Sequence, residues 1–209
     1  MFASNVCLFW ETLRVKTSIL ALLLCLVTLP LTAQEETLIA GDIESGGFGG
    51  PVLKFGSING EAGIIVGGRG GWIINHTFIL GGGGYGLANN IKAKVPGPFG
   101  ERYLNFGYGG VELEYIAQSD KLLHFSVMTL IGAGGLGWRD ETMRPGSNSE
   151  GDGFFILEPA AQVNLNVTKY FRISAGVSYR YVSGVDSPAA TDANLSGPTG
   201  VLTFRFGKF

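Results

Sequence analysis

The chain has 209 residues and a formal net charge of −2, so its length fits one domain and its charge gives no basis for nucleic-acid binding. Both cysteines, Cys7 and Cys25, lie near the N-terminus, which excludes disulfides, thiol chemistry and a cysteine-based zinc site from the rest of the chain. Glycine contributes 34 residues, and glycine is tolerated within strands mainly where a sheet bends sharply or packs closely.

The first element in chain order is the apolar run ILALLLCLVTLPL at residues 19–31, which follows two basic residues. This run is too short to span a bilayer as a helix, which needs about 20 residues, and it is typical of a secretory signal peptide. We expect residues 1–33 to be a cleaved signal peptide and residues 34–45 to be a short periplasmic segment. A retained signal anchor is the alternative.

The remainder of the chain consists of segments in which apolar and polar residues alternate. A period of two is that of a β-strand whose two faces meet different environments. The clearest example is a hairpin that turns at residues 168–170. Eight strands are predicted, at about 47–57, 61–73, 77–88, 103–116, 122–137, 154–167, 170–182 and 198–206.

The connections between these strands alternate in length. Short ones lie at 75–76, 117–121 and 168–169, and longer ones at 89–102, 138–153 and 183–197. Transmembrane β-barrels combine short periplasmic turns, longer extracellular loops and an even number of strands. The sequence therefore predicts an all-β fold, an eight-stranded antiparallel up-and-down transmembrane β-barrel over residues 46–209. A soluble eight-stranded barrel, with apolar residues inside, is the alternative.

The charges favour the membrane barrel. Only 15% of the residues are charged, and the mean hydropathy is +0.26. The charged residues share strand faces with Gly, Ser, Asn and Gln. Eight strands leave an interior just wide enough for side chains to fill, and buried charges must be paired, so we predict a lumen closed by ion pairs. The predicted members of this network are Lys54, Arg69, Glu112, Glu114, Glu158, Arg172, Arg180 and Arg205.

Aromatic residues near the strand ends are expected to form girdles at the two membrane interfaces. The expected surroundings are therefore outer-membrane lipid and lipopolysaccharide. The predicted girdle residues are Trp72, Tyr103, Tyr115, Trp138, Phe154, Tyr170, Phe171 and Tyr181.

Three segments carry a resemblance to a known class of protein. The run NVTKYFRISAGVSYRYVSG, the segment GGRGGWIINHTFILGGGGYGL and the ending TFRFGKF resemble small outer-membrane β-barrel proteins of Gram-negative bacteria. The architecture is similar to the OmpA/OmpX-like eight-stranded barrel, of Bacteroidetes type. The resemblance implies outer-membrane localisation and a terminal aromatic residue that the barrel-assembly machinery recognises, at Phe206 or Phe209.

The sequence offers one candidate for catalysis. His124 and Ser126 share a strand face, and a few eight-stranded outer-membrane barrels that act on lipid A use such a pair with a carboxylate. His124 follows a turn expected on the periplasmic side, however, whereas lipid A occupies the outer leaflet. We therefore expect no catalytic residue, and also no metal site and no cofactor.

Three functions remain open from the sequence. The first is a non-enzymatic, monomeric barrel with a closed lumen, which acts structurally or through its extracellular loops in adhesion or envelope integrity. The second is a narrow channel or carrier for small or hydrophobic molecules. The third is a lipid A-modifying enzyme.

Overall fold

The structure is a computed structural model that describes residues 44–94, 101–140 and 151–209. The predicted signal peptide and nearly all of the predicted periplasmic segment lie outside these residues. The strands are β1 Ser45–Ile58, β2 Glu61–Ile74, β3 Phe78–Leu87, β4 Arg102–Ala117, β5 Leu123–Asp140, β6 Asp152–Asn166, β7 Phe171–Ser183 and β8 Gly197–Lys208. Within the described residues there is one short helix, α1, at Asp192–Leu195. No helix among the described residues is long and apolar enough to cross a membrane.

The eight strands form a closed antiparallel barrel in which each strand pairs with the next and β8 pairs with β1. This confirms the predicted fold, and the strand bounds agree with the predicted ones within three residues. The alternating pattern sets the register because a slip of one residue would exchange the two faces of a strand.

The two ends of the barrel differ. The turn end carries the connections at residues 75–77, 118–122 and 167–170, together with the start of β1 and the end of β8. The loop end carries the longer connections and one tight hairpin at Asn59-Gly60. Both hairpin residues have positive φ, 56° and 88°, as a two-residue turn between twisted strands requires.

The outer surface carries an apolar band. On β5 it runs from Leu123 to Ala133, interrupted by Thr129, and Phe125 and Val127 are 67% and 57% exposed. A strand of about 9–11 residues tilted by about 45° crosses the hydrocarbon core of a bilayer. An exposed apolar surface of this extent is unfavourable in water, so the band is the surface that a membrane would surround.

The inward positions form three layers. The middle layer is charged and polar. An apolar cluster around Ile73 and Ile116 closes the turn end, and a larger one, which includes Phe106 and Ile156, fills the loop end. The core of this protein is therefore stacked along the barrel axis.

Glycine makes room for the large inward side chains. A Cβ on Gly83 would lie 2.5 Å from both Glu112 Oε1 and Tyr85 Oη, so only glycine leaves space for that pair. Gly84, the next residue, points outward, and a Cβ there would meet nothing within 4 Å. Of these two adjacent glycines, Gly83 is required by the packing of the interior, whereas Gly84 is not required by any contact.

The connection between β7 and β8 folds back over the loop end, and we call residues 184–196 the lid. The sequence predicted this segment as a loop and missed its helix, α1. Asp192 accepts hydrogen bonds from the amides of Gly184 and Val185, at 3.2 and 2.8 Å, which closes the lid on itself. Leu195 is fully buried against the loop-end cluster.

Candidate functional site

The middle layer contains six charged side chains, three basic and three acidic. Each lies at an inward position of its strand, and none is more than 5% exposed. They are Lys54, Arg69, Glu112, Glu114, Glu158 and Arg205. Their formal charges sum to zero, which is how a narrow, desolvated interior can hold them.

Glu114 lies at the centre of one half of this layer. Its two oxygens accept hydrogen bonds from Arg69 Nη2 at 2.9 Å and Arg205 Nη2 at 2.8 Å. Arg69 also donates through Nε to Glu112 Oε2 at 2.6 Å, and Tyr85 Oη donates to Glu112 Oε1 at 2.5 Å. Strands β2, β3, β4 and β8 are therefore joined through the lumen.

Glu158 organises the other half. Lys54 Nζ and Tyr108 Oη both donate to Glu158 Oε2 at 2.8 Å, and Ser178 Oγ donates to Oε1 at 2.6 Å. Lys54 Nζ also lies 3.6 Å from the centroid of the Tyr85 ring. The contact between Lys54 and the Tyr85 ring thus connects the half around Glu158 with the half around Glu112 and Glu114. Side chains from strands β1, β4, β6 and β7 meet at Glu158.

Arg180 does not belong to the ion-pair network, and its predicted membership is wrong. It is fully buried at the loop end, where it donates to the carbonyls of Leu195 and Ser57 at 2.6 and 3.0 Å and lies over the Phe106 ring. A backbone carbonyl at the end of α1 and a second one on β1 take the place of a carboxylate. Arg180 therefore anchors the lid.

Arg172 is also wrongly placed in the predicted network. It lies at the turn end, 8% exposed, and forms neither a hydrogen bond nor an ion pair with a described residue. Its guanidinium carbon lies 4.1 Å from the centroid of the Phe209 ring. The layer balances three against three because the two surplus cations lie outside it.

The interior leaves almost no free space at the level of the charges. A cavity of about 10 Å³ lies among Lys54, Arg69 and Glu158. A water molecule needs roughly 10–15 Å³ of such volume, so this cavity holds one water at most. The middle layer therefore blocks the lumen.

Sequence reasoning missed the apolar plug at the loop end. Toward the loop end, the inward positions of β4–β6 change from charged or polar to apolar residues, as in the change from Glu112 to Phe106 and Leu104 on β4. The outward positions change in the opposite sense, to Asn105 and Gly107. The exchange of polar and apolar residues between the two faces of one strand could have predicted the apolar plug. The prediction assumed one kind of residue along each face and therefore missed it.

The predicted girdle residues divide between the two faces. Trp72, Tyr115, Tyr170 and Phe171 lie on the outer surface at the turn end, and Tyr103 and Tyr181 on the outer surface at the loop end. Trp138 and Phe154 were placed in the girdle wrongly. Both occupy inward positions, where Phe154 stacks on Phe106 at 5.3 Å and Trp138 packs against the loop-end cluster.

The two residues of the predicted assembly signal lie on opposite faces. Phe206 is outward, 54% exposed, and stacks on Phe171 at 4.8 Å. Phe209 packs inward against Phe48, with ring centroids 6.3 Å apart. The aromatic residue that faces outward at this end of β8 is therefore Phe206.

His124 and Ser126 do not form a catalytic pair in this structure. His124 Nδ1 contacts the carbonyl of Lys121 at 3.1 Å, whereas Ser126 Oγ accepts a hydrogen bond from Asn164 Nδ2 at 3.0 Å. Asn164 in turn accepts from Ser174 Oγ at 2.5 Å. Ser126 is thus part of a polar ladder across β5, β6 and β7, whereas His124 Nε2 is buried and has no hydrogen-bond partner among the described residues.

Among the described residues, an ion pair also lies at the loop end, beyond the apolar band of the outer surface. Lys92 Nζ donates to Glu101 Oε1, and both side chains are about half exposed. Their hydrogen bond raises the pKa of Lys92 and lowers the pKa of Glu101. The pair ties the two ends of the β3–β4 connection to each other.

No protein-family model matches the sequence, and no curated protein matches it. Among solved structures, Neisserial surface protein A (NspA) is 14% identical, with 81% of this chain and 100% of NspA covered and a TM-score of 0.52. The N-terminal β-barrel domain of Pseudomonas aeruginosa OprF is 12% identical, with coverages of 78% and 96% and a TM-score of 0.49. Yersinia pestis Ail, the attachment invasion locus protein, is 15% identical, with coverages of 78% and 97% and a TM-score of 0.47.

The strand order, the outward apolar band and the likeness to NspA define the class. The chain has the eight-stranded antiparallel barrel fold of small outer-membrane proteins. At these levels of sequence identity the likeness extends to the fold, and the role has to be argued from the chain's own residues.

Proposed function

We propose that this protein is an integral outer-membrane barrel with a closed lumen, and that it acts as a structural and surface-exposed element of the envelope. The observation that carries the proposal is the filling of the interior. A charge-balanced layer with a residual cavity of about 10 Å³ lies below an apolar plug and a lid. Two independent barriers therefore stand between the ends of the barrel.

The filled interior argues against a channel or a carrier. A conducting pore needs a continuous polar path, whereas here Ile58, Leu136 and Leu195 at the loop end are fully buried. The barrel's partners in this proposal are outer-membrane lipid on its sides and the assembly machinery during biogenesis, and the barrel is a monomer. The exposed loops would then carry any contact at the cell surface.

Planar-bilayer conductance tests the closed lumen. The full chain should give no current steps under conditions in which a general porin conducts. A variant with the lid shortened should also remain silent, because the charged layer forms the second barrier. Current steps from the lid-shortened barrel, folded as judged by heat-modifiable gel migration, would overturn the closed-lumen proposal.

Fractionation tests the location. The protein should be recovered in the outer-membrane fraction and should migrate faster on a gel before boiling than after it. Recovery in the soluble periplasmic fraction would contradict the membrane assignment.

A further inference from the structure

A wide cavity opens at the turn end, on the side of the barrel opposite to the lid. Its volume is about 650 Å³, within the range of roughly 300–1,000 Å³ that is usual for small-molecule sites. Its wall includes His76, Asn166, Lys169, Arg172, Lys208 and Phe209. We call this cavity the mouth.

The mouth has a closed floor. Phe209 packs against the turn-end cluster that contains Phe48, Ile73 and Ile116, and Arg172 lies over its ring. The charged layer follows immediately behind this cluster. A molecule that enters the mouth therefore cannot pass through the barrel, so the cavity is suited to binding and not to transport.

We propose that the mouth binds an anionic group, a carboxylate or a phosphate, through Arg172 with Lys169 and Lys208 around it. Arg172 is more than nine-tenths buried, lines the cavity and has no acceptor among the described residues. Lys169 and Lys208 also form no ion pair with a described residue. The acidic residue of the wall, Asp120, has Lys121 as its partner at 3.5 Å.

No nitrogen of Arg172 is among the buried side-chain atoms that lack a partner, so its guanidinium presents free N–H donors at the surface of the mouth. An anion in the mouth can accept from these donors beside a residue that is otherwise packed into the wall, with 8% of its surface exposed. The planar guanidinium matches the two oxygens of a carboxylate or phosphate, and the ring of Phe209 holds it in place. The two lysines extend the positive field to the entrance.

Asn166 shapes the wall of the mouth next to Arg172. It faces Arg172 across the β6–β7 ladder, and its Nδ2 donates to the carbonyls of Ser119 and Lys121 at 3.1 and 2.8 Å. Its Oδ1 is buried and has no donor among the described residues. Asn166 therefore fixes the turn at residues 119–121 as the part of the wall beside Arg172.

Two sources could present this chemistry at the mouth, namely a soluble anion and the headgroup of an anionic phospholipid. Calorimetric titration of the full chain in maltoside micelles with glycerol 3-phosphate tests the site, since this detergent carries no phosphate. We expect saturable binding, and about tenfold weaker binding for Arg172→Gln, the loss of one charge-assisted hydrogen-bonded pair. Arg172→Lys should retain part of the affinity.

The matched control is Lys94→Gln, which removes the same charge from the loop end and should leave binding unchanged. Heat-modifiable migration establishes that each variant is folded. No saturable binding at millimolar concentration, or equal binding by folded Arg172→Gln, would overturn the proposal.

Nanodiscs separate the two sources. If lipid supplies the anion, phosphatidylglycerol should shift the Arg172 Nε resonance and abolish glycerol phosphate binding, relative to phosphatidylcholine alone. If the ligand is soluble, glycerol phosphate should bind equally in both kinds of disc. Absence of any Arg172 response to either probe in either disc would again refute the site.

Discussion

At the level of Glu112 and Glu158 the barrel interior is built from charges, whereas at the level of Phe106 and Ile156 it is built from aromatic and aliphatic side chains. The outer surface of β4 changes in the opposite sense. Val111 lies outside the charged layer, and Asn105 lies outside the apolar plug. On a single strand, charged residues thus fill the interior where the outer surface is apolar, and apolar residues fill it where the outer surface is polar.

The charged layer and the apolar plug also differ in how they respond to the removal of one side chain. The charged layer depends on a few directed contacts that share acceptors, so removing one leaves another charge unpaired. The apolar plug depends on many non-directional contacts, so removing one side chain leaves a cavity. Variants in the two regions should therefore differ in size of effect and in additivity.

The largest effect is expected from Glu114→Gln, which removes the carboxylate that Arg69 and Arg205 share. Breaking a buried ion pair costs about 3–5 kcal/mol because the remaining charge stays desolvated. Urea unfolding in micelles measures this loss. The double variant Glu114→Gln/Arg205→Met should recover part of it, and a neutral Glu114→Gln would show that the layer is not a coupled network.

A smaller loss is expected in the plug, from Ile156→Ala. Ile156 is fully buried in the loop-end cluster, and truncation there should lower the free energy of unfolding by about 3 kcal/mol. Val127→Ala on the lipid-facing surface of β5 is the control and should cost less. Equal losses at the two positions would mean that the plug is not a packed core.

The assignment of residues to the inward and outward faces of β3 can be tested at two adjacent glycines. Gly83→Ala places a methyl group 2.5 Å from the Glu112 and Tyr85 oxygens, and overpacking of this kind costs about 1–3 kcal/mol. Gly84→Ala points into open space and should leave the stability unchanged or slightly raised. The same urea titration reports both variants, and an equal response would contradict the assignment of the faces.

The smallest effect is expected at the exposed pair Lys92 and Glu101. Because the pKa of Glu101 is lowered, its contribution is present above its unfolded pKa and is lost as the pH falls through the folded value. Because the pKa of Lys92 is raised, its contribution is lost as the pH rises through its folded value. The ion pair therefore contributes to stability only at pH values between the folded-state pKa of Glu101 and that of Lys92.

Solvent screens this pair, so Glu101→Gln should leave global unfolding unchanged. The local consequence should be faster hydrogen exchange at Ala93, whose amide donates to the carbonyl of Arg102 at 2.8 Å, at neutral pH but not below the pKa of Glu101. A change in global stability on Glu101→Gln would show that the pair supports more than the loop.

Much of the fold could be predicted because alternation is a local property. The strands followed from apolar residues at every second position, and the two ends followed from the alternation of short and long connections. The inward position of Arg180 was predictable in the same way, from its parity on β7. Its partners were not, because Ser57 reaches it from β1 and Leu195 from the lid.

The sequence by itself determined which residues face inward and that the chain closes into eight strands, since a period of two and the order of hairpins leave few alternatives. Only the tertiary structure decided which inward charges meet. Glu114 lies between Arg69 and Arg205, from β2 and β8, because barrel closure and strand stagger bring distant positions to one height. The same stagger leaves Arg172 at the mouth without a carboxylate, a position that parity alone could not distinguish from the network.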